Sequence, residues 1–286
     1  MFDHLLARAW AVRLERFGNK VEWIYPSRTV PVSLTGSVCS LDCAHCGGHY
    51  LRSMVDIREA RTRIDAGRAD SVLVSGGCGP TGKVPVMQHL DELACVSQKA
   101  KLNFHVGLVN SEEAAAVGKL AAAVSFDFVG DDQTIREVYG LDASVKDYET
   151  SYSVLRRHAR VIPHLCVGLR GGRISGEMNA LRRIRLLGAE AVAFIVFIPT
   201  PGTRYADRQP PAAEDVATII AEARLLMPET PLMLGCMRPG GRYRGLLDVL
   251  ALDAGANRIV NPSREAVRHA SSRGLSASSK KECCVL

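Results

Sequence analysis

Three cysteines, Cys39, Cys43 and Cys46, stand within one short polar stretch, VCSLDCAHCGGHYL, over residues 38–51. Thiols this close are costly to keep free, and in a reducing compartment clustered cysteines bind metal or do redox chemistry. The spacing C-x3-C-x2-C offers three ligands. A structural zinc site wants four, usually as two separated pairs. Three thiolates suit a [4Fe–4S] cluster that keeps one iron open for a small molecule. On spacing alone, zinc or free thiols remain the plain alternatives.

The chain has nine cysteines, too many for an ordinary core and too irregular for a secreted disulfide framework. An apolar share of 47% and a charged share of 23% over 286 residues describe a globular protein with a sizeable core. No apolar run approaches the roughly 20 residues that span a bilayer. The first residues, MFDHLLARAWAVRLERFG, form an amphipathic helical pattern without a secretory h-region. The expectation is a cytoplasmic protein with no membrane partner. Its net charge of +6 carries no continuous basic stripe, so no nucleic-acid partner is expected.

The elements that must position the thiols alternate along the chain. Strand patterns cover Arg28–Thr35, Ser71–Ser75, Asn103–Val109, Phe126–Gly130, Val161–Leu169, Val192–Ile198, Pro231–Cys236 and Arg258–Val260. Several are unbroken Val/Ile/Leu runs, as parallel strands buried on both faces require. Helical patterns separate them at Val86–Ala100, Glu112–Ala123, Gly176–Leu187, Ala212–Leu226 and Gly245–Asp253. This rhythm predicts an α/β fold, a single-domain (β/α) barrel over residues 28–265. A helical extension (1–27) precedes it, and a tail (266–286) is expected to cover its mouth. A doubly wound open sheet is the other topology the rhythm allows. In a barrel the chemistry belongs to loops at the C-terminal strand ends, where the cysteine loop falls.

On these residues the chain resembles the radical S-adenosylmethionine (SAM) superfamily, whose signature is C-x3-C-x-φ-C; the φ position, usually aromatic, is His45 here. The resemblance implies the TIM-barrel type of that superfamily. It also implies that Cys39, Cys43 and Cys46 hold a [4Fe–4S] cluster whose open iron chelates SAM. Electron transfer would then release a 5′-deoxyadenosyl radical. By the same resemblance Ser75, Gly76 and Gly77 contact the methionine amino group. The superfamily's adenine motif, G-x-I-x-G-x-x-E, has two imperfect registers, one placing Cys166 and Gly168 on the strand, the other running Gly172–Glu177. Asn103 and His105 share one strand face by alternation, and Asp127 and Asp131 are read likewise. Asn103, His105 and Asp131 are thus candidates for ribose and carboxylate contacts, with helix capping as the plain alternative for Asp131.

The segments LGCMRP, with Arg238, and AGANRIVNP resemble biotin synthase, and the whole pattern is most similar to the subunits of the two-protein lipoyl synthases. That likeness implies sulfur insertion into unactivated C–H bonds of an octanoyl chain. It implies a second, sulfur-donating [4Fe–4S] cluster at the barrel mouth, with Cys78, Cys236, Cys283 and Cys284 as candidate ligands and Arg238 nearby. Implied partners are an octanoylated lipoyl domain, carrier protein or peptide, a paralogous radical SAM subunit, and a ferredoxin or flavodoxin. Arg204, Tyr205, Arg242 and Arg244 are candidate donors at the mouth. Cys95, on a helix, reads as core. The ending C-C-V-L also fits a prenylation box behind Lys280 and Lys281. A methyltransferase, mutase or cofactor maturase of the same group is the nearest alternative activity. A non-catalytic iron–sulfur redox protein is the alternative of another class.

Overall fold

The computed structural model describes residues 1–286. Ten strands form one all-parallel sheet: β1 (Lys20–Ile24), β2 (Thr29–Ser33), β3 (Ser71–Ser75), β4 (Lys101–Phe104), β5 (Ala121–Asp127), β6 (Val161–Val167), β7 (Val192–Val196), β8 (Leu232–Leu234), β9 (Arg258–Val260) and β10 (Ser276–Lys280). Their order is β10-β1-β9-β8-β7-β6-β5-β4-β3-β2. The two ends of that order meet where the Arg28 amide donates to Lys281 O at 2.8 Å. The sheet curls into a (β/α) barrel, and Pro31, which lacks an amide proton, sits in its terminal strand.

Helices cover the outside: α1 (Phe2–Phe17), α2 (Ile57–Asp65), α3 (Leu90–Ser97), α4 (Ser111–Gly118), the short α5 (Asp132–Thr134), α6 (Val145–Arg156), α7 (Glu177–Leu187), α8 (Ala213–Leu226), α9 (Gly241–Asp253) and α10 (Arg264–Ser272). Their starts carry side-chain caps where the sequence permits. Asp56 accepts from the Glu59 amide, and Asn110 and Glu113 form a reciprocal capping box. Val72, Val74, Phe194 and Ile220 are wholly or nearly buried in the main core. No helix is long and apolar enough to cross a membrane.

Two strands depart from expectation. β1 lies inside the segment read as a helical extension, and β10 lies inside the segment read as a tail. The residues that follow β10 also lie elsewhere than expected. Glu282 pairs with Lys101 at 2.8 Å, the Cys283 amide donates to Thr29 Oγ1 at 2.8 Å, and Arg160 donates to Val285 O. Thr29 and Lys101 open their strands and Arg160 precedes one, so the tail closes the barrel floor, not its mouth. Cys284 and Val285 pack there on Ile24, Ala123, Ile162, Ala193 and Met233. The small side chains of Ala123 and Ala193 leave the room they fill.

Candidate active site

The thiol loop leaves β2 at Leu34 and comes back beside it. The Ser33 amide donates to Val55 O and the Val55 amide to Pro31 O, both at 3.0 Å. Inside the loop, Gly47 and Gly48 take φ of +50° and +70°, and the Cys46 and Gly47 amides both donate to Cys43 O at 3.0 Å. Backbone amides of Gly48, His49 and Tyr50 turn toward the Cys46 sulfur. The Ala44 amide donates to Val138 O at 2.7 Å, and Ala44 O accepts from the Tyr205 amide at 2.9 Å. Arg204 donates to Asp42 O at 2.9 Å. Of the expected mouth donors, Arg204 and Tyr205 therefore brace this loop.

Gly77 shows why the loop lies where it does. A Cβ there would sit 1.9 Å from Val38 O and 2.6 Å from Cys39 Cα, so the Cys39 backbone rests directly on the glycine. The Gly77 amide donates to Thr35 Oγ1 at 2.7 Å and the Ser40 amide to Cys78 O at 2.8 Å. Ser75 is buried, its hydroxyl donating to His105 O at 3.2 Å. Gly76 is hemmed in by Val84 and Leu34.

No group of three or more His, Cys, Asp or Glu side chains converges to hold a single metal ion. Zinc, at about 2.3 Å from each sulfur, would draw the thiols tightly together. Burial, then the neighbouring thiols of Cys46, Cys39 and Cys78, pushes Cys43 up to about 12. Several sulfurs thus share an enclosed space that holds no cation from the protein, and a cationic iron–sulfur group offsets that penalty. The donor set fits such a cluster.

Below the loop, alternate side chains face the lumen. His105 Nε2 lies 3.2 Å from Asp127 Oδ2, and the rings of His105 and His164 stack 6.5 Å apart. Burial would raise the Asp127 carboxyl, but His105, then His164 and His45, hold it at about 2. Burial lowers His105, yet Asp127 outweighs it and the imidazole sits above its ordinary value. Burial pushes His45 down to about 4 and leaves its Nδ1 without a partner. Asn103 is fully buried, accepts from Ser125 Oγ at 3.1 Å and donates to Cys283 Sγ at 3.6 Å. A cavity of about 140 Å³ lies beside the His105–Asp127 pair, lined by Cys43, Ser75, Cys78, His105, Asp127 and Tyr139 among others.

Several expected residues take different places. Asp131 is off the strand, where it caps α5 and accepts from the Gln133 and Thr134 amides and the hydroxyls of Thr134 and Ser175. Cys166 faces the lumen two residues after His164, its thiol pushed well up by burial. The two registers of the adenine motif meet physically, since Glu177 Oε1 accepts from the Gly168 amide at 2.8 Å. The four cysteines grouped for a second cluster separate. Cys78 joins the first three, its carbonyl 3.8 Å from Cys39 Sγ. Cys236 follows the C-terminal end of β8, whereas Cys283 bonds at Thr29, where β2 begins.

Arg238 does not face the lumen: it is wholly buried and bidentate to Asp248 at 2.7 and 3.0 Å. Arg244 backs onto its carbonyl at 3.3 Å. Cys95 is exposed on α3, not core. Cys284 and Val285 of the prenylation-like box are buried in the barrel floor, whereas a prenylated terminus must be extended and free. Sequence reasoning placed His105 and Asp127 on lumen faces but missed their pairing with each other and with His164. The signal for it was polar residues at every second position of β5 and β6, Ser125 and Asp127, then His164 and Cys166.

No family model matches the chain. It is 26% identical over 274 residues to the biotin synthase of Desulforudis audaxviator, covering 90% of this chain and 80% of that one. It is 22% identical over 278 residues to the biotin synthase of Ruthia magnifica, covering 90% and 82%. Among solved structures, methylornithine synthase (PylB) superposes with a TM-score of 0.71 at 16% identity, over 97% of this chain and 89% of that one. Streptococcus suis SuiB bound to S-adenosylmethionine superposes with a TM-score of 0.54 at 13% identity, over 84% and 56%. The fold is the (β/α) barrel of the radical SAM enzymes, and the chain is similar to biotin synthase along nearly its whole length.

Proposed function

We propose that the protein is a radical SAM enzyme of the biotin synthase-like group that inserts sulfur into an octanoyl chain. The observation that carries the reading is the three-thiol loop set on β2's C-terminal end above a lumen reached through one shared cavity. The chemistry a cluster there supplies is one-electron reduction of SAM, and with it removal of hydrogen from an unactivated carbon. The loop's backbone bonds position the three sulfurs, and Gly77 keeps Cys39 at the strand ends. The sulfur-donor part of the reading rests on the likeness to biotin synthase along nearly the whole chain.

Octanoylated lipoyl domain, carrier protein or peptide is the proposed substrate form. A paralogous subunit and a ferredoxin or flavodoxin complete the proposed partners. The test is anaerobic incubation with SAM, reductant and an octanoyl-lysine peptide, followed by mass analysis for added sulfur. An unchanged peptide despite SAM cleavage removes the lipoyl assignment and keeps the superfamily one. Iron counting adds to it, because about eight irons per chain fit a sulfur donor and about four do not.

A second reading rests on the lumen's polarity. Asn103, His105, Asp127 and His164 form a hydrogen-bonded and charged wall, poorly matched to a bare alkyl chain. It favours a methyltransferase, mutase or maturase of the same group acting on a polar substrate. Binding of small amino acids or other zwitterions to the reconstituted protein, with the octanoyl peptide inert, would select it.

A further inference from the structure

Cys78 lines two cavities at once. One is the inner cavity of about 140 Å³ that it shares with Cys43, His105 and Asp127. The other opens outward, about 370 Å³, behind Gly77, Cys78, Gly79 and Lys83. Small-molecule sites start at about 300 Å³. The inner space is thus too small for a ligand the size of SAM while the Cys78 side chain remains in place, and the outer space lies directly behind it.

The position of Cys78 is built rather than incidental. The bare face of Gly77 seats the Cys39 backbone, and the Cys78 carbonyl accepts from the Ser40 amide at 2.8 Å. The strand that delivers Cys78 and the loop that delivers Cys39 are therefore one hydrogen-bonded unit. On the other side the chain turns sharply: the Gly79 amide donates to Lys83 O at 2.8 Å, and Gly82 has φ +78°. The turn is itself held, the Leu108 amide donating to Gly82 O at 3.1 Å and the Val84 amide to Val106 O at 3.0 Å, so the Cys78 side chain and not the segment turns between the two cavities.

We infer that Cys78 is an exchangeable fourth thiol of the Cys39–Cys43–Cys46 site, holding the ligand position at which SAM docks and swinging toward the outer cavity when SAM arrives. This rests on the cluster reading above. The role separates Cys78 from Cys236, Cys283 and Cys284, and it gives the resting protein a closed site. Release leaves the sulfur in an aqueous pocket, where it takes up a proton from water.

The test uses the full chain, reconstituted with iron and sulfide under anaerobic conditions, as wild type, Cys78→Ala and Cys78→Ser. Electron paramagnetic resonance of the reduced protein is recorded without and with SAM, and SAM affinity is measured by equilibrium binding. Without SAM, both variants should differ from wild type in their spectra; with SAM, all three should coincide. If one molecule in ten is uncapped at rest, both variants bind SAM about tenfold tighter than wild type. Identical SAM-free spectra and equal affinities overturn the inference and leave the cluster reading intact. Loss of iron in both variants overturns it too, by making Cys78 a permanent ligand. A wild type that loads no iron through Cys39, Cys43 and Cys46 sinks both.

Discussion

Replacing Gly77 with alanine probes whether the glycine pair at the end of β3 serves the thiol loop. The added Cβ would lie 1.9 Å from Val38 O. Carbon and carbonyl oxygen settle at about 3.3 Å, so Val38 and Cys39 must retreat by about 1.4 Å. Metal–ligand distances tolerate about 0.2 Å, and the displacement exceeds that roughly sevenfold. The fold itself should survive, because overpacking of this kind costs about 1–3 kcal/mol against a typical 5–15 kcal/mol. Gly77→Ala should therefore melt cooperatively yet retain little iron after anaerobic reconstitution. Gly79→Ala is the control, since its nearest neighbour would be Lys83 O at an ordinary 3.8 Å, and it should load iron like wild type. Normal iron content in Gly77→Ala, or loss of iron only together with unfolding, would refute the reasoning.

Two further predictions concern the lumen. Deleting Cys283–Leu286 exposes the floor and removes Val285, which is wholly buried. Burying such a side chain is worth about 1.5–3 kcal/mol, so the urea midpoint should fall accordingly, and an unchanged midpoint would show that the tail does not pack there. Asp127→Asn removes the carboxylate that lifts His105, leaving burial to pull the imidazole below 6.5. In the wild type, the pair's contribution to stability is full below about pH 6.5 and is lost as pH rises through the elevated folded value. The variant should lack that loss, and imidazole shifts in nuclear magnetic resonance should report the lowered titration; an unaltered His105 curve contradicts it.

Much of the barrel was legible because buried parallel strands read as apolar runs. Ser71–Ser75 and Arg258–Val260 coincide with β3 and β9. β5 begins at Ala121, earlier than its pattern suggests, because the alanines before Val124 continue the composition of α4. β10, reading SASSK, has no apolar residue but alanine and is exposed throughout. Only its pairing with β1 makes it a strand. The thiol loop was legible from its spacing together with the strand rhythm that put it at a C-terminal strand end. The grouping of the other cysteines was not, since sequence does not say which end of a barrel a tail reaches. Arg238 lies near Cys236 in sequence, but its guanidinium turns away to a buried carboxylate ten residues on.

The return of the thiol loop to its own strand has a bearing on assembly. Its two feet are joined by hydrogen bonds between Ser33, Val55 and Pro31, all drawn from the polypeptide itself. Many small metal domains stay unfolded until the ion arrives, so that binding energy is spent on ordering the chain. Here the chain's own hydrogen bonds already close the two ends of the loop, so less of the free energy of acquiring iron is spent on bringing those ends together.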